Sequence, residues 1–206
     1  MKSNKEIYFI TATNTDIGKS YASEVFLKKL AKKGKKVGYF KPIETGVITH
    51  PLDGTKLLNV TKKLNPSFKF KIDDVVKYQF KLAASPFVAN KYIDIHINSI
   101  FSQAKKLLMK CDILIVEGAG GLMVPITKDY FMIDLIKDFQ KKFKTKTILI
   151  VPSILGSIND NLLSQNALKQ HNIKYDWYIN LYKNKKEFKK VTLPFYQKYF
   201  KKIRYI

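Results

Sequence analysis

Five short apolar runs punctuate the chain: Ile7–Thr11, Val37–Phe40, Ile113–Val116, Thr147–Val151 and Trp177–Leu181. They are continuous rather than alternating, the pattern of strands covered on both faces of a parallel sheet. Between them, apolar positions recur at helical spacing. Residues 19–33 carry Ala22, Val25, Phe26, Leu27 and Leu30, and the segment closes on Gly34, a residue suited to ending a helix. Residues 96–109 place Ile97, Ile100, Phe101, Ala104, Leu107 and Leu108 on one face, and 131–143 and 158–171 read similarly. Strands alternating with helices predict an α/β fold, a doubly wound and mainly parallel sheet flanked by helices. With no internal repeat or linker, residues 1–206 read as one domain, and Asn65 to Asp74 as an excursion over its surface.

A chain of 206 residues can bury a sizeable core, and no apolar run is long enough to span a bilayer. The start, MKSNKEIYFI, enters the first strand without the apolar core and cleavage site of a signal peptide. Cys111 is the single cysteine and cannot form an internal disulfide; it reads as a small core residue at a strand start. These features point to the cytoplasm and away from a membrane.

The formal net charge of +22 favours anionic ligands in general. Arg204 is the only arginine, however, and the lysines are dispersed. Base readers and bidentate phosphate clamps lean on arginine, so the charge reads as a solvated lysine coat rather than a nucleic-acid site.

Three motifs carry candidate chemistry. "FITATNTDIGKS", residues 9–20, leads from a strand into a helix and ends in Gly18-Lys19-Ser20. The usual phosphate loop is G-x-x-x-x-G-K-[ST], and Thr13 stands where its first glycine belongs. The physics can survive that mismatch. Backbone N–H groups and a helix dipole still face a phosphate, Lys19 supplies a charge and Ser20 a hydroxyl for Mg²⁺. "YFKPIETG", residues 39–46, puts Lys41 at a strand end, with Thr45 and Gly46 as further donors. "DILIVEGAGGLMVPI", residues 112–126, ends a buried strand in Glu117 and opens into Gly118-Ala119-Gly120-Gly121. An acid there is similar to the metal partner on a neighbouring strand of phosphate-loop enzymes, and the glycines free amides for an anion. His50, His96 and His171 show no ligand spacing and read as surface or turn residues.

In this order, GxxxGK[ST], KPxxTG and VEGAGG resemble the ATP-dependent dethiobiotin synthetase family. That family writes its loop GTDTxVGK[ST], with the first glycine one place earlier. Here Ala12 replaces that glycine and Asn14 the aspartate, while Thr13, Thr15, Gly18, Lys19 and Ser20 match. The likeness continues through "ASP" at 84–86 and "LGSIND" at 155–160, where Asp160 stands in place of a frequent histidine, and the tail from about Lys183 departs from it.

The resemblance implies that 7,8-diaminononanoate, CO₂ and ATP give dethiobiotin, ADP and phosphate, with Mg²⁺ as cofactor. It implies catalytic roles for Lys19, Lys41 and Thr15, and metal ligation by Ser20, Asp53 and Glu117. Nucleotide contacts would come from Asn14, Thr15, Asp16, Ile17, Gly18, Lys19, Ser20, Tyr21 and Glu117, with Asn180 reading the base. Substrate contacts would come from Thr13, Lys41, Thr45 and Gly118 to Gly121, and across a homodimer from Ser157, Ile158 and Asn159. The divergent tail lacks a counterpart of a later family segment near the base, so GTP or CTP is expected to substitute for ATP with modest loss. The competing readings are a phosphate-loop kinase, a cobyrinate-type amide-forming enzyme, and a basic nucleic-acid-binding module. A kinase would be expected to carry an arginine-bearing lid, which a single arginine disfavours.

Overall fold

The computed structural model describes residues 5–91, 93–182 and 185–206. The chain opens with strand β1 (Glu6–Ala12), helix α1 (Lys19–Ala31) and strand β2 (Val37–Phe40). A short strand β3 (Ile43–Thr45) leads into helix α2 (Leu52–Leu64), then α3 (Ile72–Val75), β4 (Tyr78–Phe80), α4 (Pro86–Ala89) and α5 (Ile97–Leu108). Strand β5 (Ile113–Gly121) follows, and after the small hairpin β6 (Pro125–Thr127) and β7 (Tyr130–Phe131) come α6 (Met132–Lys142) and β8 (Thr145–Pro152). Helix α7 (Ser157–Gln170), strand β9 (Tyr175–Asn180), α8 (Lys185–Glu187), a π-helical turn over Phe188–Thr192 and α9 (Leu193–Tyr199) complete the chain.

The main sheet has the order β2-β5-β1-β8-β9 with every pair parallel, as the continuous apolar runs predict. Ile113 to Val116 are buried at every position, because helices cover both faces. On one face Phe9 and Phe101 each meet Phe139 edge-on, with ring centroids 5.3 and 5.1 Å away. On the other, Phe26 of α1 lies between Tyr8 and Tyr178. Helix α1 ends at Ala31, and Gly34 (φ 76°) reverses the chain toward β2.

One expectation changes and another gains detail. Strand β5 does not end at Glu117. It runs through the glycines to Gly121, and its pairing with β1 shifts between Ile10 and Ala12. The stretch from Asn65 to Asp74 runs over the surface as expected, but Asn65 and Phe68 are buried and pin it down. Phe68 is fully buried, and the Asn65 amide donates to the carbonyls of Val37 and Lys110 at 2.9 and 3.1 Å. A polar-looking segment therefore seals the outer edge of β2. The seal is close: a Cβ on Gly38 would come within 2.8 Å of the Phe68 ring and 2.7 Å of the Cys111 sulfur. Cys111 is the core residue expected, and burial pushes its thiol up to about 12.

The expected start of the divergent tail, Lys183, lies outside the described residues. Beyond it, Tyr196 packs against Trp177 at 5.6 Å, and the Ile179 N–H donates to the Arg204 carbonyl at 2.8 Å, so the tail covers the outer edge of β9. An edge strand left bare would offer unpaired backbone groups to other chains.

Phe68→Ala should lower unfolding free energy by about 3–5 kcal/mol, the usual loss for a fully buried phenylalanine. Urea denaturation measures it. A change within 0.5 kcal/mol, typical of a surface site, would show that Phe68 does not anchor the segment.

Candidate active site

The carboxyl ends of β1, β2 and β5 meet at the point where the strand order reverses, the place where open parallel sheets bind ligands. A cleft of about 390 Å³ opens there. It gathers Thr15, Asp16, Gly18, Lys19 and Ser20 with Lys41, Thr45 and Asp53, and with Glu117, Gly118, Ala119 and Gly120. Three motifs far apart in sequence thus line one space.

The loop resolves the missing glycine. Ala12 is the last residue of β1, and neither it nor Thr13 has positive φ; the left-handed positions are Asp16 (φ 56°) and Gly18 (φ 94°). A glycine at the loop's start is therefore not required by this backbone. Its neighbour needs one instead: a Cβ on Gly121 would lie 2.9 Å from the Thr13 carbonyl oxygen. Gly18 precedes α1 with no side chain capping the helix, so the helix N-terminus can receive an anion. Lys19 is buried, and its ammonium donates to the Asn14 carbonyl at 3.1 Å. Burial lowers its pKa, partly opposed by the Glu117 carboxylate.

Glu117 is the hub. Its Oε1 accepts from the Ser20 hydroxyl at 2.8 Å and the Lys41 ammonium at 3.2 Å. Its Oε2 accepts from Ser23 at 2.7 Å and Tyr39 at 3.1 Å. Lys41 also donates to Asp53 at 2.6 Å and lies 4.0 Å from Glu44. Burial alone would lower the Lys41 pKa, but the carboxylates of Glu117, Asp53 and Glu44 outweigh it and hold the group above its ordinary value. Lys41 is therefore a fixed cation and no base. Asp53 moves the opposite way: burial would raise it, and Lys41 more than compensates, keeping it ionised.

Glu44 went unremarked in the sequence because it fills a variable place in KPxxTG. Its carboxylate accepts from the backbone N–H groups of Asp53 and Gly54 at 3.1 and 3.0 Å. It thereby satisfies the first amides of α2, a helix whose preceding Pro51 offers no capping side chain. Helix α2 is not among the helices that the apolar pattern predicts; it buries Gly54, Leu57, Leu58 and Thr61, of which only the two leucines are apolar signals. Ile43, also unremarked, lines the cleft.

Other expected residues lie elsewhere. Thr13, Asn14 and Gly121 line a neighbouring depression with Met123 and Leu163. Ile17 is buried and Tyr21 is half exposed on α1. Asn180 sits behind the loop, its amide donating to the Ile17 carbonyl at 2.9 Å. Ser157, Ile158 and Asn159 open α7 outside the cleft, following Gly156 (φ 86°), and Asn159 is exposed. His50 and His96 are exposed and His171 is half-buried.

For a cation, the donor set is hard: the Ser20 hydroxyl and the carboxylates of Asp53 and Glu117. Among the described residues no three His, Cys, Asp or Glu side chains form a cage sufficient by itself. Hard oxygen donors of this kind suit a cation such as Mg²⁺, which keeps several waters and takes one or two carboxylates beside substrate phosphates.

Comparison with known proteins agrees. A family model described as an AAA domain matches residues 6–179. An ATP-dependent dethiobiotin synthetase from Sulfurovum sp. (strain NBC37-1) is 50% identical over 93% of this chain and 90% of that protein. Enzymes of the same name from Wolinella succinogenes and Helicobacter pylori (strain 26695) are 33% and 36% identical, over 92% and 91% of this chain and 87% and 86% of their own lengths. Among solved structures, a plasmid partition protein from Borrelia burgdorferi has TM-score 0.59 at 13% identity, covering 98% of this chain and 89% of its own. The MinC:MinD complex of Aquifex aeolicus gives 0.54 at 18%, covering 90% and 72%. These two share the fold alone.

Gly18→Ala should weaken nucleotide binding by about tenfold or more, because a left-handed alanine costs roughly 1–2 kcal/mol and its Cβ would lie 2.2 Å from the Asn180 amide. Titration with a fluorescent ATP analogue reads this. An unchanged Kd would mean that the loop tolerates another backbone path.

Proposed function

The chain belongs to the family of ATP-dependent dethiobiotin synthetases, and from that premise we propose a role for each group in the cleft. The enzyme is an ATP-dependent ligase of biotin biosynthesis that makes dethiobiotin from diaminononanoate and CO₂. The observation that carries the assignment of roles is the Lys41 ammonium held between Asp53 and Glu117 beside the phosphate loop.

One substrate amine adds to CO₂ and loses a proton, giving a carbamate. A carbamate oxygen attacks the γ-phosphorus and ADP leaves. The second amine then attacks the carbonyl carbon and loses a proton, phosphate leaves, and the cyclic urea closes. Each step moves negative charge through the cleft, and fixed cations stabilise such charge without reorganising. Lys41 and Lys19 supply two of them, and Thr15 donates to the transferring group. The N-terminus of α1, with Gly18 and Asp16, receives the phosphates. Gly118 to Gly120 and Thr45 lie where the substrate amines would be held.

Ser20, Asp53 and Glu117 would hold Mg²⁺, which neutralises phosphate charge when bound. Asn180 would read the base with the carboxamide atoms left over from its bond to Ile17. In a homodimer the exposed Asn159 and the half-buried Ile158 would contribute to a partner subunit's site, with Ser157, buried in its own subunit, holding the start of α7 in place.

The test is dethiobiotin formation from diaminononanoate, bicarbonate and ATP, omitting each in turn. Lys41→Ala should lower kcat/KM by about 10²-fold or more with the fold intact by circular dichroism. Lys41 is held above its ordinary value, so the wild-type rate should show no fall assignable to it below about pH 10. A variant near wild-type rate would reduce Lys41 to a turn residue.

A further inference from the structure

The four donors on Glu117 are arranged with a symmetry that the reaction alone does not require. Ser20 and Ser23 lie three residues apart on α1 and therefore share a face. Tyr39 and Lys41 lie two apart across the end of β2 and likewise share a side. Each element sends one donor to each carboxylate oxygen: Ser20 and Lys41 to Oε1, Ser23 and Tyr39 to Oε2. The Oε2 pair is sealed, since Ser23, Tyr39 and the Glu117 side chain are fully buried. Burial and the adjoining Glu117 carboxylate hold the Tyr39 phenol well above its ordinary pKa, so it stays a donor. The Oε1 pair faces the cleft, where Ser20 and Lys41 line the wall.

We propose that Ser23 and Tyr39 are positioning residues that commit one oxygen of Glu117 to the interior and leave only the other, whose own donors line the cleft, to face a metal, so that the site takes Mg²⁺ in preference to Ca²⁺. The inference rests on Glu117 being a metal ligand. Mg²⁺ demands near-octahedral geometry at short distance and is served by single carboxylate oxygens. Ca²⁺ takes more ligands at longer distance and often uses both oxygens of one carboxylate. Both oxygens accept two hydrogen bonds, but those on Oε1 come from groups lining the cleft, whereas chelation through Oε2 as well would leave the sealed Ser23 and Tyr39 hydroxyls unpaired, which is costly. Removing either donor leaves Oε2 with a single hydrogen bond and loosens the carboxylate's orientation.

The test compares wild type, Tyr39→Phe, Ser23→Ala and Glu117→Gln for the affinity of a fluorescent ATP analogue, measured separately in saturating Mg²⁺ and Ca²⁺. Wild type should bind more tightly in Mg²⁺. Each of Tyr39→Phe and Ser23→Ala should lose about tenfold in Mg²⁺, the scale of outer-shell changes, with less loss in Ca²⁺, so that the ratio moves toward one. Tyr39→Phe keeps the ring, and Ser23→Ala acts from a different element, so a folding defect in one leaves the other informative. Unchanged ratios in the folded variants, alongside a lost Mg²⁺ advantage in Glu117→Gln, would overturn the positioning role alone. A wild-type ratio in Glu117→Gln would overturn the metal-ligand reading beneath it.

Discussion

A lysine and a glutamate, each almost wholly buried, face one another at the ends of two neighbouring strands, and the rest of the cleft is arranged around them. Taking both charges out of water costs several kcal/mol per ion, and their attraction offsets that only when the remaining lone pairs and protons are satisfied. Here they are. Glu117 accepts four hydrogen bonds, and Lys41 reaches Asp53 as well as Glu117. Asp53 in turn is set by the start of α2, whose first amides bind Glu44. A change at any one of these groups leaves a buried charge short of a partner.

The fold makes this possible by geometry that is generic to parallel sheets. Strand β5 lies between β1 and β2, so Glu117, just past the last residue that β5 pairs with β2, stands between the phosphate loop and Lys41. Repeats of three along α1 and two along β2 bring matched donors onto one carboxylate. Glycines are used where chains pass closely: Gly121 beside Thr13, and Gly38 beneath Phe68. The apolar interior therefore does more than stabilise the domain. Its packing fixes where the strand ends, and with them the charges, come to rest.

Much of this was legible in the chain. Continuous apolar runs announced the main-sheet strands, and Gly18-Lys19-Ser20, Lys41 and Glu117 each follow such a run, where chemistry belongs. What stayed hidden is instructive. Ser23 and Tyr39 look like ordinary members of a helix and a strand, because nothing local says that their hydroxyls point at a carboxylate 94 or 78 residues away. Glu44 acts on the backbone of another element, a role with no sequence signature. Phe68 sits in a polar stretch that gives a single aromatic little periodic support. The apparent defect in the loop came from comparing it with a pattern whose glycine this backbone does not need.

A double-mutant cycle on Lys41 and Glu117, read as unfolding free energy, bears most directly on the claim that this pair organises the site. Lys41→Met and Glu117→Gln should each cost about 3–5 kcal/mol, since each leaves a buried charge unmatched. The double variant should cost clearly less than the two together, with a coupling of about 1–3 kcal/mol. Costs that simply add, within about 0.5 kcal/mol, would show that the two charges do not depend on each other and would contradict the account.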